Sequence, residues 1–368
     1  MSPAPDVVVI GGGPAGCAVA MELTRRGVPT LVVDGGTRTS WPGESLPPGA
    51  SRIIEPVFGP RPLANPRHRI AYGNRSAWGS DELRATDFLF NPLGSGWHLD
   101  RTVFDADLQA CVSEQGGQLI AGRVTAATRE KPDASWRVTL ADGRVFLCRH
   151  LVDATGRSAQ FALRQGIRRI HEDRQVALVG TFATGEDDED STTLVEAVRD
   201  GWWYASPLPG GRRVVAWVTD GDLLPREPTA HWRAALRETR HVSATIAGCE
   251  FPAQLTASPA GTSSLTMLHG PGWLAVGDAA IAWDPLSSQG LVTAILMGGR
   301  AGAAISDRLD GRGDETLHAW ADDYRELLRG HLEERRDFAR AERRWPESPF
   351  WSRRQRDDNS IGVAGIAE

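Results

Sequence analysis

Hydrophobic positions near the N-terminus come as short unbroken runs. Val7 to Ile10 is apolar and β-branched throughout, the pattern of a strand buried on both faces of a parallel sheet, and Thr30 to Val33 repeats it. Between them Ala18, Met21 and Leu23 mark a helix over Pro14 to Arg26, so the first 35 residues read as strand, Gly-rich turn, helix, strand. Pro- and Gly-rich stretches at 41–49 and 59–66 predict irregular connections, with regular structure resuming near Ala77. A helix over about 101–115 carries Val103, Phe104, Leu108 and Cys111, and strands follow at 118–126, 136–140 and 144–148. The turn Ala141-Asp142-Gly143-Arg144 makes the last two a hairpin. A short strand then ends at Val152.

Residues 174–268 change character. Strands at 176–183, 193–198, 202–206, 213–219 and 263–268, with one helix after Pro228, predict an inserted antiparallel sheet, and the acidic run Glu186 to Asp190 reads as the tip of a solvated loop. A buried strand returns at 273–278, a Gly/Ala-rich helix follows from about 288 to 308, and a charged amphipathic helix from His318 gives way to an aromatic tail. The predicted class is α/β, α+β overall. A Rossmann-like nucleotide domain (1–60, 97–165 and 269–310) surrounds an inserted antiparallel-sheet domain (61–96 and 166–268), and a helical tail covers 311–368.

Charge narrows the partners. With 41 Lys plus Arg against 47 Asp plus Glu, a net of -6, no basic surface is left for nucleic acid or anionic lipid. No apolar run approaches about 20 residues and no leader pattern precedes the first strand, so a cytoplasmic protein without a membrane partner is expected. Cys17, Cys111, Cys148 and Cys249 lie far apart without a CxxC pair, which suggests neither a metal site nor a disulfide framework. Lys131 is the single lysine. It sits in the polar turn Glu130-Lys131-Pro132-Asp133, so an amine nucleophile has no other source among the side chains.

Chemistry enters at Gly11-Gly12-Gly13-Pro14-Ala15-Gly16. In this G-x-G-x-x-G pattern Gly11 permits the tight turn, Gly13 lets a pyrophosphate reach the backbone, and Gly16 lets helix and strand pack closely. Pro14 and Ala15 open the helix, whose free N–H groups and positive dipole end attract the phosphates. Asp34 ends the second strand, where a carboxylate accepts from a ribose hydroxyl.

Two further segments, Asp153 to Arg157 and Gly277-Asp278-Ala279-Ala280 with Asp284 to Gly290, complete a resemblance. In order and spacing the three resemble FAD-dependent monooxygenases of the p-hydroxybenzoate hydroxylase fold, in the branch of the flavin-dependent tryptophan halogenases. Within it the chain is most similar to flavoproteins that oxygenate tryptophan in peptides or during quinone-cofactor maturation. The resemblance implies FAD, held by Gly11, Gly13, Pro14, Ala15, Gly16, Asp34, Arg101, Gly277, Asp278, Pro285, Ser288, Gly290 and Leu291. It makes the inserted sheet the substrate domain, and it aims the helix after Gly290 at the flavin N1–C2=O edge. O2 is the implied cosubstrate. With one dinucleotide fingerprint, electrons come from NAD(P)H bound transiently or through a partner flavin reductase, which the resemblance favours.

Halogenases of this branch are similar over Gly43 to Pro48, but they carry a lysine shortly before a Trp-Gly pair. The matching stretch here, His68 to Gly79, has none, and Arg is no replacement because guanidinium stays protonated. Their Trp-x-Trp-x-Ile-Pro signature is half met by Trp202 to Pro207. The expectation is therefore hydroxylation of an electron-rich aromatic substrate, a small molecule or a peptide- or protein-bound tryptophan or indole unit, through a flavin C4a-hydroperoxide. Trp202, Trp203, Trp345 and Trp351 are the candidate substrate-binding residues. Glu44, in a Pro/Gly loop, and His98, titrating near neutral pH, are the catalytic candidates, with Asp284 beside them, while Ser287 and Ser288 line the flavin. The alternatives are an FAD oxidase or dehydrogenase, a halogenase, and a flavin-bound maturation partner that holds a client protein.

Overall fold

The computed structural model describes residues 4–36, 44–131 and 135–355, so the parts of the sequence reading that fall on 41–43, 132–134 and the tail beyond 355 lie outside the described residues. β1 (Val7–Ile10), α1 (Pro14–Arg25) and β2 (Thr30–Asp34) form the anticipated unit. The Pro/Gly-rich region that follows is more regular than its composition suggests. It holds β3 (Glu44–Leu46), α2 (Ser51–Phe58), α3 (Arg61–Ala64), β4 (Arg69–Ala71), β5 (Gly73–Ala77), β6 (Arg84–Asp87) and β7 (Gly96–Leu99) before α4 (Arg101–Glu114). β3 and β4 are three-residue strands flanking β7, too short for any periodicity to reveal.

Next come β8 (Gln118–Ala121), β9 (Val124–Thr128), β10 (Trp136–Leu140), β11 (Val145–Cys148), β12 (His150–Asp153), α5 (Gln160–Arg164) and β13 (Arg169–His171). The single strand expected over 118–126 is thus two strands in different sheets, because the Gly122 N–H turns back to the Asp34 carbonyl at 2.9 Å and releases the chain from β2. The remainder is β14 (Gln175–Ala183), β15 (Thr192–Val198), β16 (Gly201–Leu208), β17 (Arg212–Asp220), α6 (Pro228–Glu238), β18 (Thr256–Pro259), β19 (Ser263–Leu265), β20 (His269–Gly270), β21 (Trp273–Ala275) and β22 (Ile281–Ala282). Three helices finish it: α7 (Gly290–Leu309), α8 (Glu315–Ala341) and α9 (Pro349–Gln355).

Six strands in the order β20-β21-β12-β1-β2-β8 make a Rossmann-type sheet, parallel except at the β20 edge. Its central strand β1 pairs with β12, and β12 with β21, so the chain leaves this sheet and returns to it around the second one. That second sheet has seven strands, β18-β14-β17-β16-β15-β5-β6, antiparallel except where β5 joins β15. The class is mixed α/β.

Two glycines position the nucleotide end. A Cβ on Gly298 would stand 2.6 Å from the Ala15 carbonyl, and one on Gly302 would stand 2.9 Å from that of Val19, so α7 lies directly on the backbone of α1. The pairs 15 with 298 and 19 with 302 advance together, hence the two helices run parallel and present their N-termini at the same end.

Alternation along β16 and β17 divides the seven-stranded sheet into two faces. Trp203, Ala205, Val215 and Trp217 pack with Trp232 and Leu236 of α6 on one side. Trp202, Val214, Ala216 and Val218 pack with Phe350 and Trp351 of α9 on the other. The acidic run is not a free loop tip: Asp188 lies 2.9 Å from the guanidinium of Arg213, and Asp190 pairs with Arg75 at 2.5 Å. Arg213 is 1 % exposed, so burying that cation requires the carboxylates.

Candidate active site

The fingerprint glycines have distinct jobs. Gly11 has φ +114°, and a Cβ there would sit 2.2 Å from the Ala154 carbonyl. A Cβ on Gly16 would sit 2.1 Å from the Gly11 carbonyl. Among the described residues nothing lies within 4 Å of the Gly13 Cβ position, and no side chain caps the α1 N-terminus that Pro14 and Ala15 begin. An open cradle at an uncapped, positively polarised helix end suits a pyrophosphate. Asp34 accepts from Gln109 Nε2 at 2.8 Å, and the same nitrogen donates to the Gly12 carbonyl at 2.8 Å, which ties the end of β2 to the loop. Gln109 was not marked by the sequence motif; it lies one helix away and acts through its amide.

A second uncapped end lies at α7. Gly277, at φ +58°, donates its N–H to Tyr324 Oη at 3.0 Å. The Asp278 side chain is 39 % exposed and stands 3.5 Å from Arg157 Nε, while Arg169 donates to the Asp278 and Ala279 carbonyls at 3.0 and 2.6 Å. Pro285 begins a short turn whose cap is Asp284. That carboxylate accepts from Leu286 N at 2.8 Å and from Gln175 Nε2 at 2.6 Å and is 3 % exposed, so it holds the loop. Ser287 Oγ is buried without a partner among the described residues, and Ser288 sits at φ +51°, a left-handed conformation that is costly for a residue with a side chain. Gly290 and Leu291 then start α7 without a side-chain cap. The open Gly13 cradle, the orphaned Ser287 hydroxyl and two bare helix N-termini at one end fit an extended dinucleotide such as FAD.

Beside this end, Asp100 caps α4 by accepting from Thr102 and Val103 N at 3.0 and 3.2 Å. Arg101 is paired with Glu44 across β3 and with Asp105 at 3.3 Å. Burial raises the Glu44 carboxyl and the Asp278 charge adds to the rise, against the opposing pull of Arg101. Glu44, Arg101 and Asp278 therefore share one electrostatic neighbourhood.

His98 is 1 % exposed, and burial lowers it to about 4. Its Nε2 lies 3.1 Å from the Ser191 carbonyl, and its Nδ1 lies 3.0 Å from both Ser45 Oγ and Ser206 Oγ. The near-neutral titration expected of it is corrected: desolvation outweighs the nearby Asp190, and the ring is neutral.

The tryptophans are also redistributed. Trp203 is wholly buried on the α6 side, stacked on Trp217 with centroids 6.0 Å apart, because adjacent strand residues cannot share a face. Trp202, 2 % exposed, and Trp351, 1 % exposed, belong to the cluster on the α9 side, where Trp351 donates Nε1–H to the Val198 carbonyl at 2.9 Å and meets Trp78 edge-on. Trp345 is half-buried under the Arg344 guanidinium, 4.2 Å from its ring. These rings close the sheet face instead of lining open space. The sequence motifs do not mark the hydroxyl set Ser45, Thr193, Tyr204 and Ser206, joined at Ser45, two members of which, Ser45 and Ser206, meet His98. Its one sequence signal is the i, i+2 spacing of Tyr204 and Ser206 on a strand.

In the stretch His68 to Gly79, Arg69 donates to the Asp188 carbonyl and Arg75 pairs with Asp190. Lys131 is exposed in the turn after β9. Among the described residues no helix is long and apolar enough to cross a membrane, and no cluster of metal-ligating side chains occurs.

Comparison with known proteins agrees with this geometry. A family model described as tryptophan halogenase matches residues 80–363, and one described as FAD binding domain matches residues 6–42. The putative FAD-dependent oxidoreductase LodB of Marinomonas mediterranea is 29% identical over 95% of this chain and 96% of its own. A menaquinone reductase of Mycobacterium tuberculosis is 30% identical over 83% of this chain and 77% of its own. Among solved structures, the myxobacterial chondrochloren halogenase CndH superposes with a TM-score of 0.87 at 22% identity, covering 97% of this chain and 87% of that one. The peptidyl tryptophan dihydroxylase QhpG superposes with a TM-score of 0.80 at 25% identity, covering 98% and 81%. With well over half its length matched by one family model and the nucleotide fingerprint matched by another, the chain belongs to the tryptophan halogenase family and is an FAD-dependent oxidoreductase.

Proposed function

We propose that this enzyme is a monooxygenase that hydroxylates an electron-rich aromatic ring, with a tryptophan or indole unit, free or carried by a peptide, as substrate. The observation that carries this reading is the missing amine. The cationic side chains of the stretch His68 to Gly79 other than His68 are Arg69 and Arg75, both engaged, and the single lysine is exposed in the turn after β9. Halogen transfer through a lysine has no group to use, whereas oxygen insertion needs a placed ring and a dry site.

FAD, when bound, supplies the reductive activation of dioxygen that makes one oxygen atom electrophilic. Gly13 and the α1 N-terminus hold the pyrophosphate, Asp34 takes the ribose, and Asp278 with the α7 N-terminus holds the far end. Arg101 anchors Glu44, and Glu44 takes the proton that the ring carbon loses as the hydroxylated product regains aromaticity. The packed face of Trp202, Phe350 and Trp351 keeps water out. Electrons arrive from NAD(P)H, through a separate flavin reductase. The name of QhpG, a peptidyl tryptophan dihydroxylase, supports a peptide-borne substrate.

The test is mass spectrometry of tryptophan-containing peptides after incubation with the FAD-loaded enzyme, NADH, a flavin reductase and 18O2. Gain of one 18O per modified ring position is the expected result. A chlorinated or brominated product when halide is present, or H2O2 with unmodified peptide, overturns the reading.

A further inference from the structure

A cleft of about 540 Å³ opens on the α6 side of the seven-stranded sheet, lined by Arg75, Arg213, Arg240 and His241 together with Asp188 and Asp190. Arg75 stands opposite Leu194 in the β5–β15 ladder, and Leu194, which also lines the cleft, packs in the α6-side cluster. The cleft therefore lies across the sheet from Trp202, Tyr204 and Trp351.

Burying a guanidinium is costly unless its N–H groups are met. Arg213 spends Nη2 on two carboxylates, 2.9 Å from Asp188 and 3.2 Å from Asp190, while its Nε and Nη1 are buried without a partner among the described residues. Arg75 pairs with Asp190 through Nη2 and leaves its own Nε in the same condition. Every unmet buried polar atom among the lining side chains is thus a donor, and what the two carboxylates leave uncompensated is positive charge.

The rim is held in place for a ligand. The buried Glu196 carboxylate accepts from the backbone N–H groups of Arg240, His241 and Val242 at 2.7, 3.0 and 2.9 Å, which fixes the turn that carries Arg240 and His241. Arg240 is paired with Asp81 at 3.3 Å, but both side chains are about two-thirds exposed, so that pair is weak and yields to a competitor. Three guanidiniums face two carboxylates, a surplus of one positive charge before His241 is counted. Leu83, Leu194 and Ala244 add apolar lining, and the volume is that of a small-molecule pocket rather than of a bare ion.

We propose that this cleft binds an organic oxoanion, a carboxylate or phosphate group carried on an apolar body. Arg75 and Arg240 take the oxygens, Arg213 supplies charge from beneath, and the leucines receive the body. The site is separate from the candidate active site, so the assignment does not rest on the monooxygenase reading.

Titration calorimetry tests it on the FAD-loaded protein, in which flavin already fills the phosphate cradle. The probes are phenyl phosphate against inorganic phosphate, benzoate against acetate, and phenol as the uncharged ring. Phenyl phosphate or benzoate should bind saturably with Kd below about 1 mM, roughly tenfold tighter than its inorganic or methyl counterpart and than phenol, because charge and apolar burial act together. Either head group supports the assignment, and the tighter of the two names it. Arg75→Gln and Arg240→Ser should each weaken that binding about tenfold. Lys131→Gln, which removes the same charge in the turn after β9, should leave it unchanged. Arg240 is largely exposed, so its replacement keeps fold and flavin content and serves if Arg75→Gln does not fold. No saturable binding, phenol binding as tightly as the anions, or affinities unchanged in both arginine variants overturns the assignment. Inorganic phosphate and acetate matching their aromatic counterparts overturns the apolar body.

Discussion

His98 shows what a buried ring does to stability. Its native value of about 4 lies below the ordinary histidine value near 6.5, so the unfolded chain takes up the proton first as pH falls. The His98 contribution is complete above pH 6.5 and is lost between there and pH 4, a total of about 3 kcal/mol. The urea midpoint should drop from pH 7.5 to 5, and His98→Asn should flatten that drop; an equal drop in the variant counts against the assignment. The two glycines make a sharper pair. Gly13→Ala should leave the melting temperature within about 2 °C, since its Cβ enters open space, yet cut FAD affinity at least about tenfold by filling the phosphate cradle. Gly16→Ala should destabilise the apoprotein itself, because its Cβ meets the Gly11 carbonyl. Thermal melting of apoprotein and flavin titration separate the two. The tight packing at Gly16 was legible in sequence because the Gly11 carbonyl it meets is local. The neutrality of His98 was not, since the burial that decides it is built by segments about a hundred residues away, among them those carrying Ser191 and Ser206.

Elements with a clear period were legible to within a few residues, among them α4, β10 and β14 to β17. The three-residue strands β3, β4 and β13 were not, and neither was the break at Gly122, where a backbone bond to Asp34 decides which sheet each half joins. The tandem Trp202 and Trp203 shows a related limit: composition suggests a clamp, but strand alternation sends one ring to α6 and the other to α9. The contact between α1 and α7 is the element on which the nucleotide end depends. Gly298→Val should force the helices apart at the Ala15 carbonyl and cost roughly 1–3 kcal/mol by urea denaturation, with a matching loss of FAD retention because both N-termini move. Retained flavin at reduced stability would show that the two ends are not coupled.

At the scale of the molecule, the last helix is fastened by charge as well as by rings. Arg353 and Arg354 pair with Asp220 at 3.0 and 2.5 Å, and Arg353 also pairs with Asp222 at 2.6 Å, while Phe350 and Trp351 fill the sheet face beneath. Trp351→Ala should cost about 3–5 kcal/mol and raise binding of a hydrophobic dye; a shift within 1 °C in melting would place the helix outside the cooperative unit. The sequence suggested an aromatic tail at a substrate, and the rings are aromatic for packing instead. A further consequence concerns how the protein is made. β14 to β17 are complete at Asp220, but part of the cover for their α9-side face, Phe350 and Trp351, is encoded only in Pro349–Gln355. During synthesis that apolar face stays open until Pro349–Gln355 has left the ribosome, so the nascent chain is a natural client for chaperones, and ribosome stalling upstream of residue 349 should release aggregation-prone fragments.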